Sequence, residues 1–233
     1  MKRLHRTAWL VGSLLCVGAP FRCEAARPLA TEDADVLDQA DCEWEGVYTR
    51  QTAHRAATEN GWEIQLSCGI GLSTQLALAY GQARAADLTS RNLTLLGKTG
   101  LIDRKDDGIG LSVAWMIGGV KNHDQSFKHD FSQLYLAATQ EVVKHVTWHA
   151  NLGWLHDQID HQNHTTWNLA GEYALGGGVD VVGEFYGESH TKPWWGIGTR
   201  WQASESLSLN AGFSLQTESP RIRQWSVGFK FAF

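Results

Sequence analysis

The chain has 233 residues, a formal net charge of −5, 24 glycines, 11 tryptophans and only 4 prolines. The acidic balance argues against a nucleic-acid partner, which needs a basic face. Past the N-terminus no run reaches the ~18 consecutive apolar residues of a membrane helix, which argues against helical spans.

The first residues read as a targeting signal. Met1-Lys2-Arg3-Leu4-His5-Arg6 is basic, Ala8 to Val17 is mostly apolar, and Cys23-Glu24-Ala25 supplies small residues for a signal peptidase. The apolar run is too short for a span and is broken by Gly12, Gly18 and Pro20, so residues 1–25 are expected to be a secretory signal peptide. Residues 26–41 are acidic and without period, and are expected to form a periplasmic N-terminal segment ahead of one domain, 42–233.

From Cys42 the chain alternates in runs of roughly ten residues, the length of a tilted membrane strand. The first run, Cys42 to Thr52, sets Trp44, Gly46 and Tyr48 against Glu43, Glu45 and Thr49. The second, Gly61 to Cys68, sets Trp62, Ile64 and Leu66 against Glu63, Gln65 and Ser67. Gly69-Ile70-Gly71 is expected to turn the chain into a third strand, Leu72 to Tyr80. A fourth, Asn92 to Ile102, turns at 103–108 into a fifth carrying Ile109, Leu111, Val113, Trp115 and Ile117. The sixth carries Leu134, Leu136 and Ala138, and the seventh Val146, Trp148, Ala150, Leu152 and Trp154. The eighth carries Trp167, Leu169, Gly171, Tyr173 and Leu175, and Gly176-Gly177-Gly178 turns it into the ninth, Val179 to Glu188. The tenth carries Trp195, Ile197, Thr199 and Trp201; the eleventh Leu207, Leu209, Ala211, Phe213 and Leu215. The twelfth ends the chain with Trp225, Val227, Phe229, Phe231 and Phe233 on one face and Ser226, Gly228, Lys230 and Ala232 on the other.

A terminal strand with such an apolar face is an aggregation hazard in water, because its edge is unpaired. Closed into a barrel in lipid, it faces its solvent. The connections also alternate, short near 69–71, 103–107, 140–144, 176–178 and 203–206, and longer near 51–60, 82–90, 119–130 and 156–165. Short turns at one rim and longer loops at the other are how outer-membrane barrels are built. Trp44, Trp148, Tyr173, Trp201 and Phe233 fall near the short-turn ends, and Trp62, Tyr80, Trp154, Trp167, Trp195 and Trp225 near the long-loop ends, as two aromatic girdles require. The expected fold is therefore all-β, a transmembrane antiparallel barrel of about twelve strands with periplasmic turns and extracellular loops.

Parity assigns Glu43, Glu45, Glu63, Lys98, His149, Glu172, Asp180, Glu184, Arg200 and Lys230 to the lumen. They form either an internal salt-bridge network or a lining that sets the selectivity of a pore. Glu184 is expected opposite Arg200, and closure brings Lys230 beside Glu43 and Glu45. Cys42 and Cys68 lie symmetrically about the first hairpin, where a disulfide can form in an oxidising compartment. His156, His161 and His164, with Asp157 and Asp160, crowd one presumed external loop and are weak metal-ligand candidates, since their spacing fits no established pattern. No other metal and no cofactor is expected. The twelve-stranded phospholipase barrels carry a His-x-Ser-Asn-Gly element; here His149 is followed by Ala150-Asn151-Leu152, so no enzyme is expected.

The terminal strand, ending on Phe233, resembles the one by which bacterial outer-membrane proteins are recognised by the barrel-assembly machinery, with Trp225, Phe229, Phe231 and Phe233 as the signal. Arg27-Pro28-Leu29-Ala30-Thr31-Glu32-Asp33-Ala34 is similar to the Arg-Pro-Leu-x-Thr-Asp-Asp-Ala opening of proteobacterial outer-membrane transporters of the meta-pathway of phenol degradation, with Glu32 in place of the first Asp. His149-Ala150-Asn151-Leu152-Gly153-Trp154 resembles the same group. The resemblance implies a twelve-stranded barrel in the outer membrane of a Gram-negative bacterium, with transport of aromatic or hydrophobic compounds as its role. The expected partners are outer-membrane lipid and lipopolysaccharide, the assembly machinery and a small-molecule solute, with the barrel monomeric. The competing expectation is a non-conducting barrel that binds metal through its His-rich loops.

Overall fold

The computed structural model describes residues 29–53, 57–104, 108–122, 125–159, 161–217 and 221–233. The expected signal peptide lies outside them, as does Asp160. The strands are β1 (Cys42–Ala53), β2 (Glu59–Gly71), β3 (Thr74–Ala85), β4 (Leu88–Ile102), β5 (Gly110–Asn122), β6 (Lys128–Val143), β7 (Val146–Asp157), β8 (Gln162–Gly176), β9 (Val179–Glu188), β10 (Trp194–Gln202), β11 (Leu207–Gln216) and β12 (Ile222–Ala232). Each pairs antiparallel with the next, and β12 returns to β1, so the sheet closes as a twelve-stranded barrel. Closure leaves no edge, which resolves the hazard of an apolar terminal strand. The seam is pinned at its end by Cys42 N–H donating to the Phe233 carbonyl at 3.0 Å and Phe233 N–H donating to the Cys42 carbonyl at 2.8 Å.

Period two decides which side chains face out. Trp225, Val227, Phe229 and Phe231 are exposed on the outer wall, with Leu134, Leu136, Leu152, Leu169 and Ile197 around the same belt. The buried apolar residues inside are mainly alanines, with Tyr135 and Val182, and the rest of the interior is Ser, Thr, Asn, His149 and ionisable side chains. That inversion of a soluble protein is what a hydrocarbon solvent selects. At the seam the Phe229 ring occupies the space a Cβ on Gly46 would take. Cys42 stands opposite Cys68 in the β1–β2 register, and the two form a disulfide with Cα atoms 4.2 Å apart. For a loop of this length chain entropy makes the cross-link worth roughly 3 kcal/mol.

Several boundaries differ from the sequence reading; the connection expected over 156–165, for one, narrows to the residues between Asp157 and Gln162, which pair. The turn expected at 69–71 falls at Leu72–Ser73, both with positive φ (54° and 50°), while β2 runs on to Gly71. Gly69 serves a close approach instead: a Cβ there would run into the carbonyl oxygens of Leu37 and Asp38, and Ala40 N–H donates to Gly69 O at 3.0 Å. The connection expected over 82–90 is a two-residue turn, because β3–β4 pairing continues to Ala85 opposite Leu88. The rim holding Cys42 and Phe233 is called the terminal rim below.

Candidate functional site

All ten predicted inward positions face the barrel interior. Glu43, Glu45, Lys98, His149, Glu172, Glu184 and Arg200 are buried there, and Glu63, Asp180 and Lys230 are half-buried. What surrounds them is more than wall. Residues 29–41 enter from the terminal rim, where Gln39 bridges Gly69, and run inside the barrel to mid-height. Buried charge must be paired and hydrogen-bonded, and the segment supplies the partners.

Lys98 on β4 donates to Asp33 Oδ1 at 2.9 Å and lies 3.7 Å from Glu32. Just beyond β4, Arg104 meets Asp35 at 3.0 Å. Glu184 on β9 does not meet Arg200. The β9–β10 register sets Glu184 against Gly196 and Asp180 against Arg200, two residues away from the expected hairpin centre. Glu184 instead accepts from Ala30 N–H (2.8 Å), Thr31 N–H (3.1 Å) and the Thr31 hydroxyl (3.0 Å), all on Oε2. On β7, Asn151 accepts from Glu32 N–H and donates to Glu32 C=O, each at 2.8 Å. Asn168 on β8 donates to Ala30 C=O at 2.8 Å, Thr139 on β6 accepts from Ala34 N–H at 2.9 Å, and Gln75 on β3 accepts from Leu37 N–H at 2.9 Å. The segment's two most buried side chains, Thr31 and Asp33, are each 3% exposed.

A second cluster adjoins the first through Thr139, whose hydroxyl shares a 2.9 Å hydrogen bond with His149 Nδ1. His149 Nε2 lies 3.6 Å from Glu172 Oε1, and Arg200 donates to Glu172 Oε2 at 2.7 Å and to Asp180 at 3.3 Å. Hydroxyl, imidazole and carboxylate thus stand in line, but Thr139 and His149 have no exposed surface and Arg200 holds the carboxylate. The arrangement binds wall to segment rather than presenting a nucleophile to a substrate. Across the seam, Lys230 stands opposite Glu45 and lies 3.5 Å from Glu43. Beside these, a cavity of about 840 Å³ opens at the terminal rim, lined in part by Asp180, Arg200, Gln202, Ser208 and Lys230.

Thr139, Asn151, Asn168 and Gln75 were missed in the sequence. Parity places them inward, yet a neutral polar residue is the default there, and their partners sit in an aperiodic stretch that no period can align. Tyr186 and Trp194 were missed too; they share the inward parity of Glu184 and Gly196 and stack with planes 7° apart and centroids 6.2 Å apart. At the other rim His164 packs edge-on against His190 with ring centroids 6.0 Å apart, but the candidate ligands His156 and His164 keep separate partners. His156 Nδ1 hydrogen-bonds Asn163, His164 Nδ1 hydrogen-bonds the Ser189 carbonyl, and His161 lies in the turn between β7 and β8. Among the described residues no three His, Cys, Asp or Glu side chains gather as a metal site.

One family model matches the chain, that of Uncharacterised conserved protein UCP029691, over residues 13–231. No curated protein matches. Among solved structures the chain is similar to the COG4313 outer membrane channel from Pseudomonas putida F1, with TM-score 0.66 at 9% identity over 88% of this chain and 100% of that one. It is similar to a KdgM porin in complex with disordered oligogalacturonate, with TM-score 0.63 at 8% identity over 81% and 99%. It is also similar to outer membrane phospholipase A from Escherichia coli, with TM-score 0.53 at 12% identity over 90% and 94%. At these identities the likeness is one of fold: a porin-like outer-membrane barrel, used by channels and by an enzyme.

Proposed function

We propose that this chain, which belongs to the family of Uncharacterised conserved protein UCP029691, is a monomeric outer-membrane channel that passes small molecules passively. Residues 29–41 act as its internal constriction. The observation that carries the reading is the lumen itself, a closed wall with ionisable side chains turned inward and an 840 Å³ cavity that opens at the terminal rim. Of the ten inward positions, Glu43, Glu45, Glu63, Glu172, Asp180 and Glu184 are acidic and only Lys98, Arg200 and Lys230 are basic. Rings of carboxylates favour cations, so an anionic solute suits this lumen only where it replaces the inserted segment's own acids. The refolded protein in planar bilayers is expected to give discrete channel events that are cation-selective by several-fold in a salt gradient. An absence of events in repeated trials rejects the channel, and anion selectivity rejects the role given to the acidic lining.

Aromatic solutes are the finer form of this proposal. What supports them is the resemblance of residues 27–34 and 149–154 to the phenol meta-pathway transporters, together with the inward Tyr186–Trp194 pair, since parallel rings offer a stacking surface.

We further propose that Trp225, Phe229, Phe231 and Phe233 are read by the barrel-assembly machinery, after export directed by residues 1–25. Phe233 and Phe231 stack at 6.1 Å beside the closing backbone pair. Phe233→Ser is expected to leave most of the protein out of the outer-membrane fraction, whereas Lys230→Ala, on the inner face, assembles normally. Heat-modifiable gel migration reads both, and normal insertion of Phe233→Ser removes the proposed signal.

A further inference from the structure

The wall grips the inserted segment mainly by its backbone. Glu184 takes the N–H groups of Ala30 and Thr31, Asn151 takes both the N–H and the C=O of Glu32, Asn168 takes the Ala30 carbonyl, and Thr139 takes the Ala34 N–H. Side-chain recognition includes the Thr31 hydroxyl on Glu184, the acids Glu32 and Asp33 on Lys98, and Asp35 on Arg104. Backbone groups are common to every peptide, and main-chain pairing of this kind gives affinity with little dependence on sequence. A sugar carries hydroxyls but no alternating N–H and C=O at the spacing Asn151 and Glu184 read.

We infer that this interior wall is a binding track for short peptides bearing an acidic side chain, which compete with residues 30–35 for Glu184, Asn151, Asn168, Thr139 and Lys98. The inference rests on the channel reading and names a solute class for it. The wall groups are buried polar and charged side chains that are costly without partners. A solute that displaces the segment therefore has to restore the same hydrogen bonds, and a peptide does so at the same positions. The tethered segment competes at an effective concentration of the order of millimolar, so a free peptide with equal contacts reaches half-effect in that range.

The test uses the full-length protein in proteoliposomes and three radiolabelled probes. One is the acetylated and amidated pentapeptide Ala-Thr-Glu-Asp-Ala, copied from residues 30–34. The second is the same peptide N-methylated at its Glu and final Ala, equal in charge but lacking two of the donors, and the third is a neutral trisaccharide. The parent peptide is expected to enter several-fold faster than the methylated one and to saturate in the low millimolar range, with Asn151→Leu erasing the difference. Sugar entry with equal, unsaturable entry of both peptides overturns the inference and leaves the channel standing. Exclusion of all three probes overturns both. Should Asn151→Leu not fold, the two peptides compared on the unaltered protein still decide.

Discussion

Replacing Lys98 with Met is expected to release residues 29–41 from the lumen and raise single-channel conductance several-fold. Lys98 is the cation on which Asp33 rests at 2.9 Å and toward which Glu32 is drawn at 3.7 Å. Removing one partner of a buried pair leaves an uncompensated charge worth about 3–5 kcal/mol. The segment has an alternative that a wall residue lacks, since it can leave for water at the terminal rim. Three kilocalories is roughly a hundredfold shift in such an equilibrium, so a mostly inserted segment becomes a mostly withdrawn one. Lys98→Arg keeps the charge and is expected to conduct like the parent. Unchanged conductance in Lys98→Met would show that the segment does not limit flow.

The second large effect is on stability. Arg200→Met strips the cation from Glu172, which it holds at 2.7 Å in the interior on β8, and from Asp180, which it holds at 3.3 Å at the edge of the rim cavity. Glu172 cannot reach water as the inserted segment can, so the loss falls on the barrel itself. A decrease of about 3–5 kcal/mol is expected, seen as a lower urea midpoint for the change in heat-modifiable migration. Adding Glu172→Gln should return part of it, because a neutral amide needs no counter-charge. A midpoint unmoved by Arg200→Met would mean that His149 and solvent already satisfy those acids.

The barrel was legible because lipid makes period two unambiguous: an error of one residue puts Glu43 or Lys230 into hydrocarbon. The Cys42–Cys68 bridge follows from the same counting, since both residues lie at the end of one hairpin. Legibility failed where pairing depends on exact hairpin length, so Arg200 was set against Glu184 when a hairpin centre two residues earlier gives it Asp180. It failed again at Gly69, where a turn residue and a close-approach residue look alike. The inserted segment was hidden for a deeper reason. Its irregular backbone is held by side chains scattered over six strands, and its own sequence shows only acidity, which reads equally well as solvated chain.

The segment also makes the interior lopsided. Near the terminal rim it leans on Gly69, Gln75, Lys98, Arg104 and Thr139, on the arc from β2 to β6, whereas the 840 Å³ cavity lies on the arc from β8 to β12. At this rim one arc is braced from within like a wall with a buttress, and the other is held by its ladder and by ion pairs such as those of Arg200 with Asp180 and Glu172. Bilayer pressure therefore meets a barrel of unequal stiffness, and the unbraced arc is where the cross-section gives way toward an ellipse first.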